Sequence, residues 1–126
     1  MTIGLWCVLA GILMPYVWTS VAKSMGRYDL RANQNPRDFL SKLGGPAGRA
    51  HAAQLNSFEA FPAFAAAVLI AQYAHAVQHS IDLLAVTWVV LRLIYGALYI
   101  GNLAALRSVV WFGGVACVVG LFIAAA

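Results

Sequence analysis

Four long apolar stretches, about 3–21, 50–74, 83–101 and 107–126, are separated by polar segments of very unequal length. Each approaches the roughly 20 residues that cross a hydrocarbon core, and a helix is the only open structure that satisfies its own backbone there. The pattern therefore predicts an all-α, integral membrane four-helix bundle folded as one domain. Pro62 predicts a kink in the second span, while Gly113-Gly114 and the terminal alanines let the fourth approach its neighbours closely. The first span is not read as a signal peptide, because no Lys or Arg precedes it and no small-x-small site follows.

Residues 23–48 break the pattern. They hold Lys23, Arg27, Arg31, Arg37 and Lys42 with Asp29 and Asp38, and end on Gly44-Gly45-Pro46. This reads as an interfacial loop closed by a turn. The second connection, Ala76 to Asp82, reads as a short turn.

Composition sharpens the picture. The chain is 63% hydrophobic and 10% charged, far from the roughly 45–50% and 25% of soluble domains, so a water-soluble bundle is excluded. Six of the eight basic residues fall between Lys23 and Arg49, and Arg107 begins the fourth span on the same side. The positive-inside rule puts that side in the cytoplasm and both termini outside it. The basic residues are spread out without interleaved stacking aromatics, so no nucleic-acid partner is expected.

Arg92 is the one basic residue that topology does not explain, and Glu59 is the one acid in the second span. Ionisable groups in a span cost several kcal/mol unless paired or hydrated, which marks both as functional candidates. Counted from the basic ends of their helices, both lie roughly 15 Å deep, so they are expected to meet, within one chain or across a subunit boundary. Arg92, Tyr95, Tyr99 and Asn102 fall at i, i+3, i+7 and i+10, a single polar stripe on one helix face. Asn56 lies one turn from Glu59, and the two stripes predict a polar wall opening toward the basic side.

Other residues read as packing. His51, His75 and His79 are too scattered for a metal site, and none is expected. Cys7 and Cys117 read as small apolar packers, and Trp6, Trp18, Trp88 and Trp111 as interfacial belt or core.

The segment Gln54-Leu55-Asn56-Ser57-Phe58-Glu59-Ala60-Phe61-Pro62, with Arg92-Leu93-Ile94-Tyr95, Tyr99 and Arg107-Ser108, resembles the MAPEG family, the membrane-associated proteins of eicosanoid and glutathione metabolism. Length, span layout and basic first loop fit over nearly the whole chain. The resemblance implies a homotrimer in contact with membrane lipids, in a bacterial-type member within the inner (plasma) membrane. It also implies glutathione bound between neighbouring subunits and a lipophilic second substrate arriving from the bilayer. Asn56, Glu59, Arg92, Tyr95, Tyr99, Arg107 and Ser108 match positions lining or supporting the glutathione site, with Lys23 a looser match. The arginine that many active members carry in the turn before the asparagine is replaced here by Ala52, Ala53 and Leu55, leaving Arg49 as the nearest substitute.

Glutathione has two carboxylates and an ammonium, so a guanidinium and an acid suit it. A cation in a partly dry site would favour its thiolate. Arg107 with Ser108 is the first candidate for that role and Tyr99 the second. The resemblance thus implies a glutathione transferase or peroxidase acting on lipophilic electrophiles or lipid hydroperoxides. A noncatalytic lipid-binding or scaffold protein on the same fold is the alternative.

Overall fold

The computed structural model describes residues 1–126 and is entirely helical. Its elements are α1 (Ile3–Met25), a 3-10 turn (Ala32–Gln34), α2 (Pro36–Ser41), α3 (Gly45–Tyr73), α4 (Gln78–Ile100) and α5 (Ala104–Ala125). Four of the helices are long and apolar enough to cross a membrane. Only 25 of the 126 residues are buried within the chain, so most of the apolar surface faces outward, which is tolerable only in lipid.

Helix α1 ends four residues later than expected, and α3, α4 and α5 begin three to five residues earlier, for local reasons. Thr2 caps α1 by accepting from the Leu5 N–H at 3.4 Å, and Asp82 on α4 accepts from the Gly4 N–H at 2.8 Å. Asp82 was expected in a turn; it instead lies inside α4, where its carboxylate ties the start of one helix to another. Gln72 adds a bond to Thr2 Oγ1 at 3.1 Å. At the other end of the bundle, Gly44 is the N-cap of α3 and Pro46 sits in its first turn. The expected closing turn is therefore the beginning of a helix.

The helix ends share one device. Tyr28 N–H donates to Lys23 O, Ala76 N–H to Ala71 O, and Leu103 N–H to Leu98 O. Each bond closes a Schellman-type cap around a residue of positive φ, namely Arg27 (57°), His75 (56°) and Asn102 (59°). Asn102 is therefore past the end of α4 and exposed, a correction to the four-residue stripe, which stops at Tyr99. The 23–48 segment is also more ordered than a plain loop, since Phe39, Leu40 and Leu43 of its α2 region pack against Ala22 and Ala50.

Helices α3 and α4 each contact all three other spans, while α1 and α5 make no substantial contact with one another. The main core gathers Cys7, Phe64, Val68, Ile81, Trp88, Cys117 and Leu121. Phe64 and Trp88 stack with ring centroids 3.8 Å apart, and both cysteines are buried and unpaired. Close approach of α1 to α4 depends on Gly96, where any Cβ would run into the Trp18 indole. Gly96→Ala is expected to cost about 2 kcal/mol through overpacking against a ring that has nowhere to swing. A melting curve of the detergent-purified variant unchanged from the parent would show that α1 and α4 can separate freely.

Candidate functional site

The polar site is assembled from α3 and α4, with one residue from α5. Arg92 is 3% exposed, and its Nη2 donates to Asn56 Oδ1 at 2.7 Å. Asn56 Nδ2 in turn donates to Glu59 Oε2 at 3.2 Å. Within the chain Arg92 and Glu59 do not meet directly: Asn56 stands between them, and Glu59 is exposed on the outer face. The amide suits that place because it accepts from the cation with one atom and donates to the anion with the other.

Arg92 also begins a second chain. Its Cζ lies 4.3 Å from the Tyr95 ring centroid, Tyr95 meets Tyr99 edge-to-face at 5.7 Å, and Arg107 Cζ stands 4.1 Å over Tyr99. Cation, ring, ring and cation form a ladder from mid-bundle to the start of α5. Guanidinium–ring contacts are worth about 0.5–2 kcal/mol, more when desolvated. The Arg107 guanidinium has no hydrogen-bond acceptor or acidic partner within the chain, so its donors are open to a ligand.

Beside this assembly lies a groove of about 300 Å³ between α3 and α5, floored by Arg92, Asn56 and Glu59. Trp88, Trp111, Ala60, Ala63, Gly114 and Val115 wall it. The small residues make the space, and the tryptophans give it apolar sides. Trp88 and Trp111 were read as belt or core, and their part in the groove was missed. The available signal was spacing: Trp88 precedes Arg92 by one turn, and Ala60 and Ala63 follow Asn56 at i+4 and i+7. Arg92 Nε is buried without a hydrogen-bond partner.

Three expected site residues are engaged elsewhere. Arg49 Nε donates to Ile100 O at 2.9 Å, satisfying an orphan carbonyl at the end of α4. Lys23 belongs to the last turn of α1 and sits 4.3 Å over the Tyr28 ring. Ser108 donates to Ala104 O of its own helix at 3.1 Å. Of the nine expected residues, Asn56, Glu59, Arg92, Tyr95, Tyr99 and Arg107 form one connected set.

An apolar four-span bundle with a charged, hydrogen-bonded site set into its side is an integral, multi-pass membrane protein with a built polar centre. The chain belongs to the MAPEG family, whose model matches residues 3–126. No curated protein and no solved structure matches it.

Proposed function

We propose that the protein is a membrane-embedded glutathione transferase or peroxidase acting on lipophilic electrophiles or lipid hydroperoxides. The observation that carries this reading is an apolar groove bordered by the Arg92–Asn56–Glu59 relay, from which the Tyr95–Tyr99 ladder leads to the open Arg107 guanidinium. The relay and Arg107 offer donors and an acceptor to a small zwitterionic peptide, and the groove offers a berth for a greasy partner. Family membership supports the chemistry, since the MAPEG family includes enzymes of both kinds.

In this reading Arg107 stabilises the glutathione thiolate, with Tyr99 beside it as the alternative donor. The thiolate attacks the electrophilic carbon, a new C–S bond forms, and the leaving group departs with the electron pair. With a hydroperoxide, the thiolate attacks the terminal oxygen to form the sulfenic acid while the alkoxide leaves and is protonated; a second glutathione thiol then attacks that sulfur, forming the disulfide and releasing water. Glu59, exposed on one chain, takes the glutathione ammonium or faces a neighbouring subunit. Neighbouring copies complete the site in a homotrimer, in a bacterial inner membrane, with the basic side in the cytoplasm and both termini outside.

The second reading rests on a specific departure. Ala52, Ala53 and Leu55 leave no guanidinium in the turn before Asn56, and Arg49 is occupied by Ile100 O. Losing a bidentate carboxylate ligand can remove several kcal/mol of binding, which would leave a lipid-binding scaffold.

Thermal denaturation with ligand separates the two. Millimolar glutathione is expected to raise the melting temperature of the detergent-purified protein, because a ligand of the folded state stabilises by RT ln(1 + [L]/Kd). S-alkyl glutathione is expected to do the same while filling the groove. The particle is expected at about 40 kDa of protein, three times 13.5 kDa. A trimer with no shift at about ten millimolar would remove glutathione from the account.

A further inference from the structure

From Lys23 in the last turn of α1 to Arg49 near the start of α3, the chain carries six basic residues against two acidic ones, a surplus equal to the net charge of the whole chain, +4. This segment is folded. Tyr28 Oη donates to Asn33 Oδ1 at 2.7 Å, Tyr28 meets Phe39 edge-to-face at 5.2 Å, and Phe39, Leu40 and Leu43 anchor it to the helix ends.

Within it lies a cavity of about 540 Å³, separate from the groove, whose lining includes Arg27, Arg31, Lys42, Asp29, Asp38 and Asn35. The acids there are already used. Asp29 Oδ1 accepts from the Ala32 N–H at 2.8 Å, and Asp38 Oδ2 pairs with Lys42 Nζ at 2.7 Å. Arg27 and Arg31 have no intramolecular ion pair, and both are exposed. With three cations, Arg27, Arg31 and Lys42, against two acids, the lining stays positive, and its two unpaired guanidinium groups suit a phosphate-type anion.

The position identifies the source of that anion. The cavity is built from the segment between the end of one helix able to cross a membrane and the start of the next, a place that falls near the headgroups of a bilayer spanned by both. Leu30, between the two arginines in sequence, is 89% exposed, and Met25 is 50% exposed. Apolar side chains beside unpaired guanidiniums fit the boundary between acyl chains and headgroups, not bulk water.

We propose that the Arg27–Arg31 cavity binds the headgroup of an anionic phospholipid in the surrounding leaflet, fixing the 26–43 segment on the membrane surface. The occupant is a lipid, so its retention depends on acyl chains as well as on phosphate. This site is independent of the glutathione reading and stands or falls apart from it.

Native mass spectrometry of the detergent-solubilised full chain, offered equal phosphatidylglycerol and phosphatidylcholine, tests this. The unaltered protein is expected to retain phosphatidylglycerol preferentially. A basic residue in contact with the anionic headgroup is worth about fivefold, so removing both arginines is expected to lower the preference about 25-fold. The variant pair is Arg27→Asn with Arg31→Gln, since Asn tolerates the positive φ at position 27. Arg37→Gln lies outside the cavity and is expected to keep the preference. Arg27→Lys with Arg31→Lys, which preserves the charge, is expected to keep most of it and guards against a folding defect in the neutral pair. Equal retention of the two lipids by the unaltered protein would overturn the proposal, as would a preference that survives in the neutral pair. An equal loss in Arg37→Gln would show diffuse surface charge instead of a site. Displacement of phosphatidylglycerol by millimolar inorganic phosphate would show a free-phosphate site and overturn the lipid assignment.

Discussion

Replacing Arg92 with Leu is expected to cost the fold about 3–5 kcal/mol, the range found when one partner of a buried charged set is removed. Arg92 is 3% exposed; its guanidinium bonds Asn56 and covers Tyr95. Leucine would fill much of the space but leave Asn56 Oδ1 without its donor and Glu59 without a balancing cation, which is costly at this depth. Because Asn56 Nδ2 holds Glu59 at 3.2 Å, the loss should be coupled to that acid. Arg92→Leu with Glu59→Gln is therefore expected to recover part of the stability, since a neutral amide needs no cation. Arg92→Lys should fall between, keeping the charge but not the planar stacking on Tyr95. Thermal denaturation in one detergent measures these proteins together with Glu59→Gln alone, which completes the cycle. Strictly additive losses in the double variant would mean that Asn56 transmits nothing between the two ends.

Arg107→Ala is expected to slow conjugation of a generic aromatic electrophile about 100-fold in kcat, the usual consequence of removing one donor aimed at a reacting anion. The effect on glutathione affinity should be much smaller. Arg107 stands over Tyr99 and has no carboxylate neighbour in the chain, so its removal strands no buried acid. Initial rates over a range of glutathione concentrations separate kcat from KM. A raised KM with unchanged kcat would reassign Arg107 to holding a glutathione carboxylate. Tyr99→Phe is the companion measurement, because it removes the alternative hydroxyl while keeping the ring beneath Arg107. If only Tyr99→Phe lowers kcat, the thiolate is stabilised by the phenol.

The four spans were legible in the sequence because the bilayer applies a local test. A stretch that is long and apolar enough must be helical, whatever its neighbours do. The candidate chemistry was legible for a related reason: a charge in a span is expensive, so Glu59 and Arg92 stood out singly, and helical spacing gathered Asn56, Tyr95 and Tyr99 around them. Arg107 came from the resemblance to the family, not from any cost of burial. Helix ends were less legible. The Schellman caps place Arg27, His75 and Asn102, none of them glycine, at positive φ, and Asp82 serves a helix 78 residues away in the chain.

What only the tertiary structure decided is how each helix is turned toward the others. In water, a core-facing stripe differs in polarity from an exposed one and announces its direction. In lipid both faces are apolar, so periodicity says which residues share a face but not what that face meets. Hence the sequence by itself determined the helical, four-span class, the presence of Glu59 and Arg92 inside spans and the crowding of basic residues into one segment. Packing of α3 against α4 and α5 decided that Asn56 bridges Arg92 and Glu59, that Trp88 and Trp111 wall a groove, and that Arg49 holds the end of α4. Those arrangements rest on contacts such as Asn56–Arg92 and Arg49–Ile100, 36 and 51 positions apart, which no local rule of hydropathy or spacing encodes.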